Sequence, residues 1–166
     1  MVNTDVRGRS YATAGKTPVT YAVVGTRQKL SMIATVTNQG KTRRMIIDEA
    51  FNSDKQVEFL EALIKDAEKK VFLILDNLRV HHSKPVKKWL EENKEKIEVF
   101  YLPSYSPELN PDERLNADLK HEISSKVPVR TKAKLKEATC TYMGKLEQNP
   151  ERIRSYFRDP RVAYAA

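Results

Sequence analysis

The sequence predicts a mixed α/β fold, and three observations carry that prediction. Stretches rich in β-branched residues follow one another before residue 48, an apolar run of five residues ends in an acid at Asp76, and helical periodicity dominates after Asn110. Strands first, then helix and strand in alternation, then helices, is the order of a mixed sheet flanked by helices.

The elements follow in chain order. Residues 1–17 hold Gly8, Gly15, Ser10 and several Thr without an apolar period, so they read as an extended arm ending at Pro18. Val19–Val24 and Leu30–Val36 are strands, and Asn38-Gln39-Gly40 turns the chain into Arg44-Met45-Ile46-Ile47, the second arm of a hairpin. From Ser53 the residues Val57, Leu60, Leu63, Ile64 and Ala67 share one helical face, with Ser53 or Asp54 as N-cap. Val71–Leu75 has the composition of a strand buried on both faces. Ser83 caps a helix containing Pro85, Val86, Trp89 and Leu90, where the spacing makes Trp89 a core residue, and Ile97–Leu102 is a further strand. The proline-punctuated loop Pro103–Pro111 feeds a helix with Asn110 as N-cap and Pro111 at its first position, carrying Leu115, Leu119 and Ile123 inward. Pro128 interrupts the chain before an amphipathic helix over Thr131–Leu146, and Pro150 precedes a short basic helix around Arg152–Phe157. We divide the chain into an arm (1–17), an α/β core (18–127) and a basic helical extension of the same domain (128–166).

Composition bounds the function. A chain of 166 residues, 40% apolar, can bury a real core without staples, and 5 Gly, 8 Pro and the single Cys140 exclude collagen-like, disordered and disulfide-scaffold classes. One cysteine suits a reducing cytoplasm, and the five-residue run at Val71–Leu75 is far short of the roughly 20 residues that span a membrane. The net charge of +8 is uneven: residues 1–44 carry +7, 45–119 carry −5 and 120–166 carry +6. Clustered cations point to a polyanion, most simply DNA. Lys126, Arg130, Lys132, Lys134 and Lys136, with Arg152, Arg154, Arg158 and Arg161, are candidates for tracking its phosphates; the alternative is a solvated basic surface.

Two acids stand at the ends of elements. Asp76 closes the most hydrophobic strand, where open α/β sheets place their chemistry, although an acid there also serves to cap the following turn. Glu113 follows with 36 residues between the two, three positions after Asn110, which is also the spacing of a purely structural capping box. A rigid loop that holds one carboxylate at a fixed distance from another is what a pair of hard divalent ions requires. His81 and His82 are adjacent, so at most one faces the site, and His121 reads as a surface residue. One cysteine and no histidine pair at ligand spacing fall short of a zinc set.

Asp76-Asn77-Leu78-Arg79-Val80-His81 and Leu102-Pro103-Ser104-Tyr105-Ser106-Pro107-Glu108-Leu109-Asn110-Pro111-Asp112-Glu113 together resemble the second and third catalytic blocks of bacterial insertion-sequence transposases of the mariner-related DDE group. Gly8-Arg9-Ser10-Tyr11 and Gly15-Lys16-Thr17-Pro18 are similar to the segment after that group's first block, and Tyr156 to Ala166 to its C-terminal tail. Asn116 stands where many relatives carry a tryptophan. The resemblance implies an RNase H-like fold, Asp76 and Glu113 as metal-binding acids, two Mg²⁺ or Mn²⁺ ions in a complete site, DNA as substrate, and a homodimer in a synaptic complex.

The resemblance also implies a third acid on a first, central strand upstream of residue 1, and nothing here matches that block. Asp5 falls in the arm, and Asp48 and Glu49 follow the hairpin. The expectation is therefore an N-terminally truncated transposase whose missing strand an upstream segment would supply, and which is marginally stable or self-associating without it. Its alternative role is that of an inactive remnant that only binds DNA or oligomerises. No helix-turn-helix reader is evident, and a phospho-accepting receiver domain fails for want of an acid cluster near the first strand.

Overall fold

Asn38, Gln39 and Gly40 close a hairpin between β1 (Ser31–Val36) and β2 (Thr42–Ile47), paired antiparallel with Ser31 opposite Ile47 and Val36 opposite Thr42. Gly40 has φ 84°, and a Cβ built on it would lie 2.7 Å from Pro150 Cβ, so both the backbone and the neighbouring chain require glycine. The structure, a computed structural model, describes residues 14–15, 28–65, 67–124 and 131–165. The strand expected at Val19–Val24, Asp5, Lys126 and Arg130 lie outside the described residues.

Helix α1 spans Ser53–Lys65. Its cap is neither Ser53 nor Asp54 but Asn52, whose Oδ1 accepts the Lys55 N–H at 2.9 Å, because the helix already begins at Ser53 and the oxygen must come from the residue before it. The strands β3 (Val71–Leu75) and β4 (Ile97–Tyr101) run parallel, with Val71 opposite Ile97. Helix α2 (Lys84–Glu92) makes the crossover that a parallel pair demands. Leu60, Leu73, Val86 and Ile97 form the buried centre of this half, with Trp89 packed at its margin as its spacing predicts.

Helices α3 (Asp112–Ser124), α4 (Lys132–Glu147) and α5 (Pro150–Ser155) pack instead on the hairpin. Leu115, Met143, Leu146, Ile153, Tyr156 and Phe157 enclose Met32, Ala34 and Val36, while Leu119, Ile123 and Leu135 meet Leu30 and Ile46. Thr131 caps α4 through the Lys134 N–H, and Asn149 caps α5 through the Arg152 N–H. Across the helices, Asp118 accepts two 2.7 Å bonds from Arg152 and one of 2.6 Å from the Tyr156 hydroxyl.

This division of helices corrects one expectation. Val71–Leu75 is not buried on both faces: Leu73 is buried, but Phe72 is 66% and Ile74 39% exposed, and Phe100 on β4 is 48% exposed. Helices α1 and α2 cover one face, and the helices that could cover the other are spent on the hairpin. Among the described residues the strands form two separate two-stranded sheets, with no ladder between β1–β2 and β3–β4. No helix among them is long and apolar enough to cross a membrane.

Candidate active site

Asp76 is the first residue after β3, and the ladder continues past it on the neighbouring strand, where the Leu102 N–H donates to Leu75 O at 2.8 Å. One of its two oxygens is committed: Oδ1 accepts the Leu78 N–H at 3.2 Å and Nε2 of His81 lies 3.1 Å from it. Its Oδ2 has no hydrogen-bond partner among the described residues, and the side chain is 56% exposed. The turn-capping reading of Asp76 is thus realised on Oδ1.

The loops after β3 and β4 brace one another. Asn77 Nδ2 donates to Ser104 Oγ at 2.9 Å, Asn77 Oδ1 meets the His82 ring, and that ring packs at 4.3 Å on Tyr101. The Tyr101 hydroxyl donates to the His81 carbonyl at 3.3 Å. Of the two adjacent histidines, His81 is the one that faces the acid; it is buried, edge-on to Phe51, whereas His82 serves the brace. Within the second loop Tyr105 takes φ 58° and is fully exposed, an unusual backbone for a non-glycine residue.

Asn110 Oδ1 accepts the Asp112 N–H at 3.0 Å and starts α3. The capping box does not form, because the Asn110 N–H donates to Pro107 O in the preceding 3₁₀ turn, Pro107–Leu109. Glu113 is consequently exposed, and its carboxylate has no hydrogen-bond partner among the described residues.

The residue that the sequence reading missed is Asp112. Its Oδ1 is buried without a partner, and Oδ2 has only a long bond from Asn116 at 3.4 Å. Burial, then the charge of Glu113, then that of Asp76 push its carboxyl up to about 7. That ordering places the end of β3 and the start of α3 within electrostatic reach of each other. The signal in the sequence was only its place beside Glu113, which any first-turn acid shares.

The remaining candidates lie elsewhere. Asp48 binds Lys136 at 2.7 Å and its backbone carbonyl accepts from Lys132 at 2.8 Å; the Lys136 hydrogen bond holds its carboxyl below the usual range. Three of the basic tail residues are likewise paired, Arg152 with Asp118, Arg154 with Glu151 and Arg161 with Asp159; Arg158 lies 4.0 Å from Glu151. Lys134, Arg79, Lys84 and Lys87 are exposed and make no ion pair among the described residues. His121 is exposed, as expected.

For a hard cation the donor types suit: Asp76, Asp112 and Glu113 are carboxylates on two elements, within electrostatic reach of one another. Among the described residues no three His, Cys, Asp or Glu side chains stand close enough together to hold a metal ion by themselves.

Comparison with known proteins agrees with this geometry. The sequence profile described as DDE superfamily endonuclease matches residues 2–136. No curated protein matches the chain in sequence. The fold is that of the crystal structure of the catalytic domain of Mos1 mariner transposase (TM-score 0.55, 16% identity), covering 82% of this chain and 80% of that one. The Mos1 mariner paired-end complex with Mn (TM-score 0.61, 19% identity) and the Mos1 paired-end complex with the left transposon end (TM-score 0.63, 20% identity) are each matched over 96% of this chain and 51% of theirs. The chain thus spans about half the length of the longer Mos1 chains.

Proposed function

Because the chain belongs to the DDE superfamily endonuclease family, we propose that it is the catalytic domain of a transposase, acting on DNA in the cytoplasm, in which Asp76 and Glu113 hold divalent metal. The observation that carries this reading is the pair of carboxylates Asp76, bonded through one oxygen only among the described residues, and Glu113, at two braced loop ends beside an acid whose ionisation both of them oppose. Asp76 and Glu113 would hold Mg²⁺ or Mn²⁺, two ions in a complete site, and the bound metal would supply Lewis acidity for phosphodiester displacement.

This chain's own residues supply the rest. The Leu78 N–H and His81 fix one oxygen of Asp76, and the Asn77–Ser104 bond ties the turn that carries it to the loop that leads to Glu113. Arg79, Lys84, Lys87 and Lys134, among the cations that make no ion pair among the described residues, would meet DNA phosphates, with Arg79 and α2 following directly on Asp76. Lys132 and Lys136 bind α4 to Asp48, so they contribute less to that role than Lys134, Lys126 and Arg130. A third carboxylate belongs to the proposed complete site, and Asp48, spent on α4, does not provide it. A strand paired with both two-stranded sheets would join them, and the proposed complete site places the third carboxylate on such a strand. Two copies would act together on paired DNA ends.

Nicking of supercoiled plasmid in Mg²⁺ or Mn²⁺ tests the reading, with and without a peptide supplying the added strand. Cleavage that Asp76→Ala and Glu113→Ala abolish supports it, and cleavage indifferent to both sinks it.

A further inference from the structure

We infer that His81 is a positioning residue for Asp76: its imidazole, donating from Nε2, fixes Oδ1 so that Oδ2 is presented to the cation. This rests on the functional reading above. Four observations support it. Nε2 lies 3.1 Å from Asp76 Oδ1, a hydrogen-bond distance to an atom that can only accept. His81 is 7% exposed and packs edge-on against Phe51 at 6.0 Å between centroids, so the ring has one orientation. Its Nδ1 is buried with no partner, the state of an acceptor nitrogen that no group protonates or opposes. Its backbone is pinned on both sides, since the His81 N–H donates to Leu78 O at 3.0 Å and the His81 carbonyl accepts the Tyr101 hydroxyl at 3.3 Å.

The consequence follows from carboxylate geometry. With Oδ1 occupied by two donors, the Leu78 N–H and the His81 Nε2–H, rotation about the Cβ–Cγ bond is blocked and the remaining lone pairs point one way. Hydrogen bonds to a metal-ligating group commonly change metal affinity about 10–100-fold when removed. Glutamine places its Nε2–H₂ where the histidine places Nε2–H, so it keeps the donor, whereas leucine fills the pocket and deletes it.

Two measurements test this. In metal-free wild type, ¹⁵N spectra of the histidine rings should show a proton on Nε2 of His81 hydrogen-bonded to an acceptor, a signal lost or mixed in Asp76→Ala; a ring protonated on Nδ1 alone overturns the proposal without touching the function. Binding of Mn²⁺ alone, followed by its free-ion electron paramagnetic resonance signal, should weaken about tenfold or more in His81→Leu at an unchanged melting temperature. In His81→Gln it should return to within about threefold of wild type. If wild type and His81→Leu bind Mn²⁺ equally, His81 does not position Asp76, while the metal site stands. If wild type binds none, the functional reading falls and this inference falls with it.

Discussion

Replacing Asp112 by asparagine should stabilise the metal-free protein, by an amount that depends on pH. The folded carboxyl titrates at about 7 against an ordinary 3.8, a difference of about 3 units at roughly 1.4 kcal/mol each. The native state therefore holds a proton that the unfolded chain has released, and stability falls as pH rises between those two values. For the wild type the penalty is about 0.6 kcal/mol at pH 4, about 1.7 at pH 5 and about 4 above pH 8. Asparagine keeps the shape and the long bond to Asn116 but carries no charge to bury. Urea unfolding in the presence of a chelator, at pH 5 and pH 8.5, reads the difference between the two proteins. It should widen by about 2–3 kcal/mol over that interval and shrink again when excess Mn²⁺ is added, since a cation favours the ionised form. A gap that stays constant with pH would refute the placement of Asp112 in a buried acidic cluster.

Three further outcomes follow from the same structure. Gln56 is 1% exposed with both amide atoms unpartnered, so Gln56→Leu should raise stability by about 1–3 kcal/mol in urea titrations, and a loss would mean that the amide is satisfied in solution. Gly40→Ala should cost at least about 1–2 kcal/mol for its left-handed backbone, with more from the Pro150 contact, measured as a drop in the urea midpoint. In DNA binding, the triple change Arg79→Gln, Lys84→Gln and Lys87→Gln should reduce the slope of log affinity against log salt by up to about 2.7, whereas Lys132→Gln with Lys136→Gln should change it by less than about 1.

Much of this architecture was legible from period alone. The hairpin, α1, the β3–α2–β4 unit, α3 and α4 all follow from apolar spacing and turn residues, and Asp76 and Glu113 were marked by their places at the ends of elements. What period cannot show is which face a distant helix chooses. Val71–Leu75 looks like a doubly buried strand, yet α3, α4 and α5 settle on β1 and β2 and leave Phe72 and Ile74 open. Lys132 and Lys136 look like DNA contacts until the fold brings them to Asp48, more than 80 residues earlier. Glu113 could have been a cap; the 3₁₀ turn before it takes the Asn110 N–H and so leaves the carboxylate free. Asp112 was invisible because burial, the cause of its raised pKa, is a property of the packed α3 start and has no counterpart in local sequence.

The central claim is that Asp76 and Glu113 act as a charged pair on DNA through a divalent cation. Nicking of supercoiled plasmid in Mn²⁺ by wild type, Asp76→Asn and Glu113→Gln, with the added strand supplied, tests it most directly, because both substitutions keep side-chain shape and remove only charge. The account predicts metal-dependent nicking by wild type that falls by at least about 100-fold in either variant; nicking that survives both substitutions, or proceeds equally in chelator, would contradict it.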